Sequence, residues 1–147
     1  MGWLTSLQGK VVGLDTTPLI YLIEEHPAYL ESVRSFFTAM DRGEFTVVTS
    51  TVTLLEVLVH PFRHRDAKLA EQYRNILLNA RGLTTVSMAP DIAEEAARLR
   101  AVYNIRTPDA IQVATALHEG ASYLLTNDVR LRPVTELQVL ILDELEA

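Results

Sequence analysis

Cysteine is absent from this chain. That excludes a disulfide framework, a thiolate zinc site and a cysteine nucleophile, and it suits a reducing cytosol. Long apolar runs are missing too: nothing approaches the ~18 residues needed to cross a bilayer. The opening MGWLTSLQGK has neither the basic start nor the apolar stretch of a signal peptide. Gly2 and Ser6 fit the loose myristoylation pattern, but the pattern is short and bulky Trp3 follows the glycine. Residues 1–9 therefore read as an N-terminal extension, and the expected location is cytoplasmic, away from membranes.

Positive charge is scarce. Thirteen Lys and Arg stand against 19 Asp and Glu, for a formal charge of −6. A general nucleic-acid binder carries the opposite sign. An enzyme that gathers carboxylates around metal ions escapes that exclusion, because bound cations invert the local field.

Several catalytic signatures are also missing. There is no GxSxG elbow for a serine hydrolase. Gly9-Lys10 lacks both the upstream glycine and the following Ser or Thr of a phosphate loop. His60 and His64 are four apart but Pro61 lies between them and HExxH is absent, so they read as loop histidines. Asp15 has no second aspartate two residues on, as a haloacid-type phosphatase requires. A receiver domain needs a lysine near its last strand, and none follows Lys68.

What is present is an alternation of short apolar runs and longer amphipathic ones. At 147 residues and 48% hydrophobic content, the chain is one domain with a sizeable core. VVGLD reads as a strand, followed by a helix with Thr17 as N-cap and Pro18 as first residue. A second helix spans about 28–40, with Val33, Phe36, Phe37 and Met40 at helical spacing. Phe45–Thr49 is the next strand, leading into a helix that carries Glu56 and breaks at Pro61. Residues 66–80 are amphipathic, and Leu83–Met88 is a third strand. Pro90 and Pro108 each open a helix, and Gly120 stops the second. Tyr123–Thr126 and Gln138–Leu142 complete five strands. Such alternation predicts an α/β domain with a mostly parallel sheet covered on both faces.

Four acids stand at changes of element: Asp15, Glu56, Asp109 and Asp128. Each has a local explanation. Asp15 can cap a helix, and Glu56 stands three residues after Thr53 in capping-box spacing. Asp109 suits a helix first turn, and Asn127-Asp128 suits a turn. Together they say more. In a doubly wound sheet, ligands bind beyond the carboxyl ends of the strands, and all four fall near that edge. Clustered carboxylates repel unless cations lie among them. Two divalent ions would roughly neutralise four, and oxygen-only ligands suit Mg²⁺ or Mn²⁺.

With those residues in view, the chain resembles a PIN domain, and among PIN domains the VapC-type ribonuclease toxins. VVGLDTTPLIYLIE, TSTVTLLEVLVHP and RTPDAIQVATALHEGASYLLTNDVRLRPV carry the resemblance, in family order and over about half the chain. It implies one PIN domain over 1–147, a three-layer α/β/α sandwich around a five-stranded parallel sheet. It also implies that Asp15, Glu56, Asp109 and Asp128 are the catalytic, metal-holding acids, with Mg²⁺ or Mn²⁺ as cofactor. Thr126 and Asn127 match small polar supports, and Thr16 and Thr17 the hydroxyl-bearing place after the first aspartate. The implied activity is endonucleolytic cleavage of RNA by metal-activated water, leaving a 5′-phosphate. The implied partners are an RNA substrate, a cognate antitoxin and a second copy in a homodimer. Arg106, Arg130 and Arg132 are candidates for phosphate contacts, with Arg63, His64 and Arg65 as a rim. A housekeeping PIN nuclease, or a non-enzymatic metal- or partner-binding module, would keep the same acids.

Overall fold

The structure is a computed structural model, and it describes residues 2–145. A short helix α1 (Gly2–Thr5) precedes β1 (Val11–Leu14), α2 (Thr16–Ile23) and α3 (Leu30–Asp41). Then come β2 (Thr46–Ser50), α4 (Thr51–Arg63), α5 (Ala67–Asn79) and β3 (Leu83–Val86). The last third holds α6 (Pro90–Tyr103), α7 (Thr107–His118), β4 (Tyr123–Thr126) and β5 (Gln138–Ile141). Among the described residues these are the expected five strands, joined in one parallel sheet of order β3-β2-β1-β4-β5.

Alternation along the strands divides the core. Val12 and Leu14 of β1 and Leu125 of β4 face Phe36, Tyr73 and Leu77. Leu124 of β4 instead joins Ile92, Leu99, Val113 and Ala114, on the side of α6 and α7. Helices cover both faces, giving the α/β/α sandwich. Gly13 sets how closely one layer sits: a Cβ there would lie 2.7 Å from the Ala116 Cβ. The small-residue face of α7 thus lies almost directly on β1.

Three local expectations are corrected. The N-cap of α2 is Asp15, not Thr17: its carboxylate accepts the Thr16 amide at 2.8 Å. Helix α4 starts earlier than a Thr53 cap would allow, because Ser50 is the cap and accepts the Val52 amide at 3.0 Å. Nor does α4 break at Pro61; it continues to Arg63. The proline costs one hydrogen bond, to the Val57 carbonyl, and only in the last turn. Its ring is buried, so packing offsets the loss.

The segment ahead of β1 is folded against the domain. Leu7 is fully buried in the core, and Trp3 stacks on Phe36 with ring centroids 6.1 Å apart. Among the described residues no helix is long and apolar enough to cross a membrane.

Candidate active site

Strand order determines where a cleft can form. Succession runs outward from β1 to β2 and β3 on one side, then returns to place β4 and β5 on the other. The reversal falls between β1 and β4, and chains leaving their carboxyl ends part there to opposite sides. Asp15 follows β1, and Asp128 lies two residues beyond β4. A cleft of about 540 Å³ opens at this point, lined by Asp15, Glu56, Asp109 and Asp128 together. Thr16, Thr17, Tyr21, Asn127, Arg106 and Arg130 contribute the rest of its polar wall.

Asp15 is the most buried part of the cluster along with Asp109, at 7% and 5% exposure. Its two oxygens are satisfied separately: Oδ1 by the Thr16 amide at 2.8 Å, Oδ2 by the Thr126 hydroxyl at 2.7 Å. Burial nevertheless pushes its carboxyl above the ordinary value of 3.8. The Thr126 and Thr16 bonds oppose that rise, and the charges of Asp109 and Glu56 add to it.

Glu56 is held by hydroxyls. The Thr16 hydroxyl donates to Glu56 Oε1 at 2.7 Å, so Thr53, 3.0 Å from Thr16, supplies its own proton to the Thr16 oxygen. Thr53 in turn accepts from the side-chain amide of Gln112 on α7. The result is a buried line of donors, Gln112 to Thr53 to Thr16, ending on a carboxylate. Each bond in such a line polarises the next. Thr53 and Gln112 were not among the sequence candidates, since a single Thr or Gln in an apolar helix carries no signal of its own.

Asp109 and Asp128 are held differently, by arginine. Arg106, the N-cap residue of α7, reaches forward to Asp109 with Nε–Oδ2 at 3.0 Å and Nη2–Oδ1 at 3.4 Å. Arg130 forks onto Asp128, with Nε–Oδ1 at 2.9 Å and Nη2–Oδ2 at 2.7 Å. The Arg106 Nη2 also stands 3.9 Å from Asp128 Oδ2, bridging the two acids. Asp128 additionally accepts the Arg130 amide at 2.9 Å, capping a 3-10 turn over Val129–Leu131. Its carboxyl is held below the ordinary 3.8, first by the Arg130 side chain and against a smaller effect of burial. The Arg130 amide and the charges of Arg130 and Arg106 lower it further.

The turn that presents Asp128 is fastened at both ends. Thr126 Oγ1 accepts the Asp128 amide at 3.0 Å. Asn127 donates to the Tyr21 hydroxyl at 3.0 Å and accepts the Asp143 amide at 2.9 Å. Thr126 and Asn127 thus support the site as their positions predict, while Thr17 lines the cleft. Arg132 is placed elsewhere: it pairs with Glu144 and lines a separate cavity with Val134 and Leu137. Arg63, His64 and Arg65 lie at the far end of α4 and do not line the acidic cleft.

The carboxylates that cap local structure are the ones that line the cleft. Asp15 and Asp128 each cap a turn with one oxygen while facing the cleft, so local structure fixes the carboxylate's direction. Four carboxylates and neighbouring hydroxyls are hard oxygen donors, and among the described residues no sulfur or imidazole lines the cleft. That donor set suits Mg²⁺ or Mn²⁺. Among the described residues, no three His, Cys, Asp or Glu side chains are drawn together into a finished metal cage. The Arg106 and Arg130 guanidiniums lie against Asp109 and Asp128 instead.

A doubly wound α/β/α domain with carboxylates gathered at its switch point defines the class. The match is to the PIN domain, whose family model covers residues 12–137, and the chain belongs to that family. Comparison with curated proteins gives no match. Among solved structures, VapBC2 from Rickettsia felis bound to a promoter DNA fragment is similar at a TM-score of 0.72 and 18% identity. The alignment covers 89% of this chain and 98% of that one. A toxin–antitoxin complex from Klebsiella pneumoniae matches at TM-score 0.66 and 23% identity, over 90% and 97% of the two chains. VapC20 of Mycobacterium tuberculosis, described as a sarcin–ricin-loop-cleaving toxin, matches at 0.67 and 16%, over 87% and 98%. The fold is therefore that of VapC-type proteins.

Proposed function

We propose that this chain is a divalent-metal-dependent endoribonuclease, the toxin of a VapBC-like type II pair, restrained by a cognate antitoxin. The observation that carries the reading is the convergence of Asp15, Glu56, Asp109 and Asp128 on one cleft at the β1/β4 switch point. Membership in the PIN family supports nuclease chemistry, and structural likeness to toxin–antitoxin complexes supports the toxin role.

Bound among these acids, Mg²⁺ or Mn²⁺ supplies positive charge for the phosphate oxygens and makes an attacking water more acidic. The chain's own residues prepare the place. Thr126 and the Thr16 amide fix Asp15, the line from Gln112 fixes Glu56, and the first turn of α7 presents Asp109. Asp128 stands across the cleft on its capped turn. Acids left partly uncompensated also suit an antitoxin that inserts an arginine, because a guanidinium matches carboxylate geometry. Helix α4 leaves Leu55, Val59 and Phe62 exposed at helical spacing, an apolar stripe suited to a second copy of the chain in a homodimer.

Purified protein should cleave RNA to 5′-phosphate products with Mg²⁺ or Mn²⁺ and stop when EDTA is added. Cleavage that survives exhaustive chelation would remove the metal mechanism. Expression of the wild type should arrest bacterial growth, Asp15→Asn should not, and a small neighbouring gene should relieve the arrest. Equal arrest by both proteins would favour a binding role over a nuclease toxin.

A further inference from the structure

The cleft neutralises its four acids in two unlike ways. Asp15 and Glu56 are satisfied by amide and hydroxyl donors. Asp109 and Asp128 are satisfied by the chain's own guanidiniums. Among the described residues, no other basic side chain lines the cleft. Four carboxylates less two arginines leave a formal charge of −2, enough for one divalent ion. A second ion needs the full charge of four acids, and so needs the arginines gone.

The arginines are built to leave. Their side chains are 58% and 61% exposed, whereas those of Asp109 and Asp128 are 7% and 19% exposed. Each guanidinium reaches in from solvent and loses side-chain entropy to stay over a shielded carboxylate. A divalent cation brings twice the charge and no side-chain entropy to lose. Once displaced, each head remains at the mouth of the cleft on a flexible stem. Its planar fork of donors then matches phosphate as well as it matched carboxylate. The molecule, at a net charge of −6, has little other attraction for a polyanion.

We propose that Arg106 and Arg130 are exchangeable counter-ions. They neutralise Asp109 and Asp128 in the metal-free protein, and pass to nucleic-acid phosphate when divalent cations take those carboxylates. Metal loading and nucleic-acid grip are then coupled through the same two side chains, and the coupling works equally in both directions. The inference rests on the metal-dependent nuclease reading and adds an order of events to it.

The test uses full-length protein with both arginines changed to Gln, and separately both changed to Lys. Mn²⁺ affinity is measured by titration calorimetry without RNA. Affinity for a fluorescein-labelled single-stranded RNA is measured by anisotropy in EDTA and in Ca²⁺. Both double variants should bind Mn²⁺ about five-fold tighter or more, a coupling of ordinary size for linked sites. Lys keeps the charge but loses the fork, so its gain separates local competition from a general field effect. Ca²⁺ should raise wild-type affinity for the RNA, and the Gln variant should lose most of that gain. Unchanged or weaker Mn²⁺ binding in the Gln variant would show that the arginines prop the carboxylates, and would overturn the exchange. A Lys variant indistinguishable from wild type would overturn it too, leaving only a field effect. A wild type that binds neither Mn²⁺ nor RNA would end the nuclease reading, and this inference with it.

Discussion

Thr126 donates its hydroxyl proton to Asp15 Oδ2 at 2.7 Å, although 111 residues of chain separate them. The Thr126 hydroxyl oxygen in turn accepts the Asp128 amide at 3.0 Å. One side chain at the end of β4 therefore sets both the buried acid after β1 and the turn that presents the fourth acid. Replacing it with valine keeps the shape and deletes the bonds. Thr126→Val should lose ~1.5–3 kcal/mol in urea unfolding at neutral pH, the usual range for a hydrogen bond to a charged group. Thr126→Ser should stay close to wild type, and an equal loss in both variants would point to lost methyl packing instead.

Asp15 makes stability depend on pH in a specified direction. Its folded carboxyl titrates above the ordinary 3.8 because burial disfavours the charge. Such a group contributes stability that is complete below its unfolded value and lost as pH rises through the higher folded value. In metal-free protein, Asp15→Asn should therefore melt at or above the wild-type temperature at pH 7–8. Its advantage should shrink as pH approaches 4. A loss at every pH would mean that the two bonds the carboxylate accepts, only one of which an amide oxygen can keep, outweigh the cost of burying its charge.

Gln112 should matter more than a buried glutamine of uncertain purpose. Its amide donates to Thr53, which donates to Thr16, which donates to Glu56. Gln112→Leu would remove one of the two donors that reach the buried Thr53 oxygen, leaving the Thr49 hydroxyl at 3.1 Å, at a cost of about 0.5–1.5 kcal/mol. It should also reduce turnover with little change in protein fold by circular dichroism. Turnover at the wild-type level would show that Glu56 is held well enough by Thr16 alone.

Gly13 tests how tightly α7 is seated. Gly13→Ala would put a methyl carbon 2.7 Å from the Ala116 Cβ, so the helix must shift or the strand must bend. A loss of ~1–3 kcal/mol is the usual cost of overpacking. Asp109 rides on the same helix, so activity should fall beyond what unfolding explains. Restoration of both by Ala116→Gly in the same chain would assign the effect to this contact.

The sheet and the acids were legible in the sequence because each acid ends or opens an apolar run, and apolar runs report burial directly. TND and RTPD mark the carboxyl edge without any knowledge of which strands pair. The relationships across the cleft were not legible. Arg106 and Arg130 were expected to reach outward to phosphate, since spacing along a chain does not say that each lies against the acid two or three residues away. Arg132 sits two residues beyond Arg130, yet the 3-10 turn carries it to Glu144. Thr53 looked like a cap and is a buried relay instead, because the helix begins at Thr51. Pro61 looked like a break, but buried packing at a helix end outweighs one missing hydrogen bond.

Strand order also has a consequence for how the protein comes into being. β1 emerges from the ribosome well ahead of β4, its neighbour on one side, since 111 residues separate Asp15 from Thr126 at their ends. Until then the chain holds Asp15, Glu56 and Asp109 but has no Thr126 to orient the first of them and no Asp128 to face them. A cell translating this message therefore carries an unfinished cleft for the whole interval between Asp15 and Asp128. A chain released prematurely, anywhere before β4, cannot assemble the four-acid pocket.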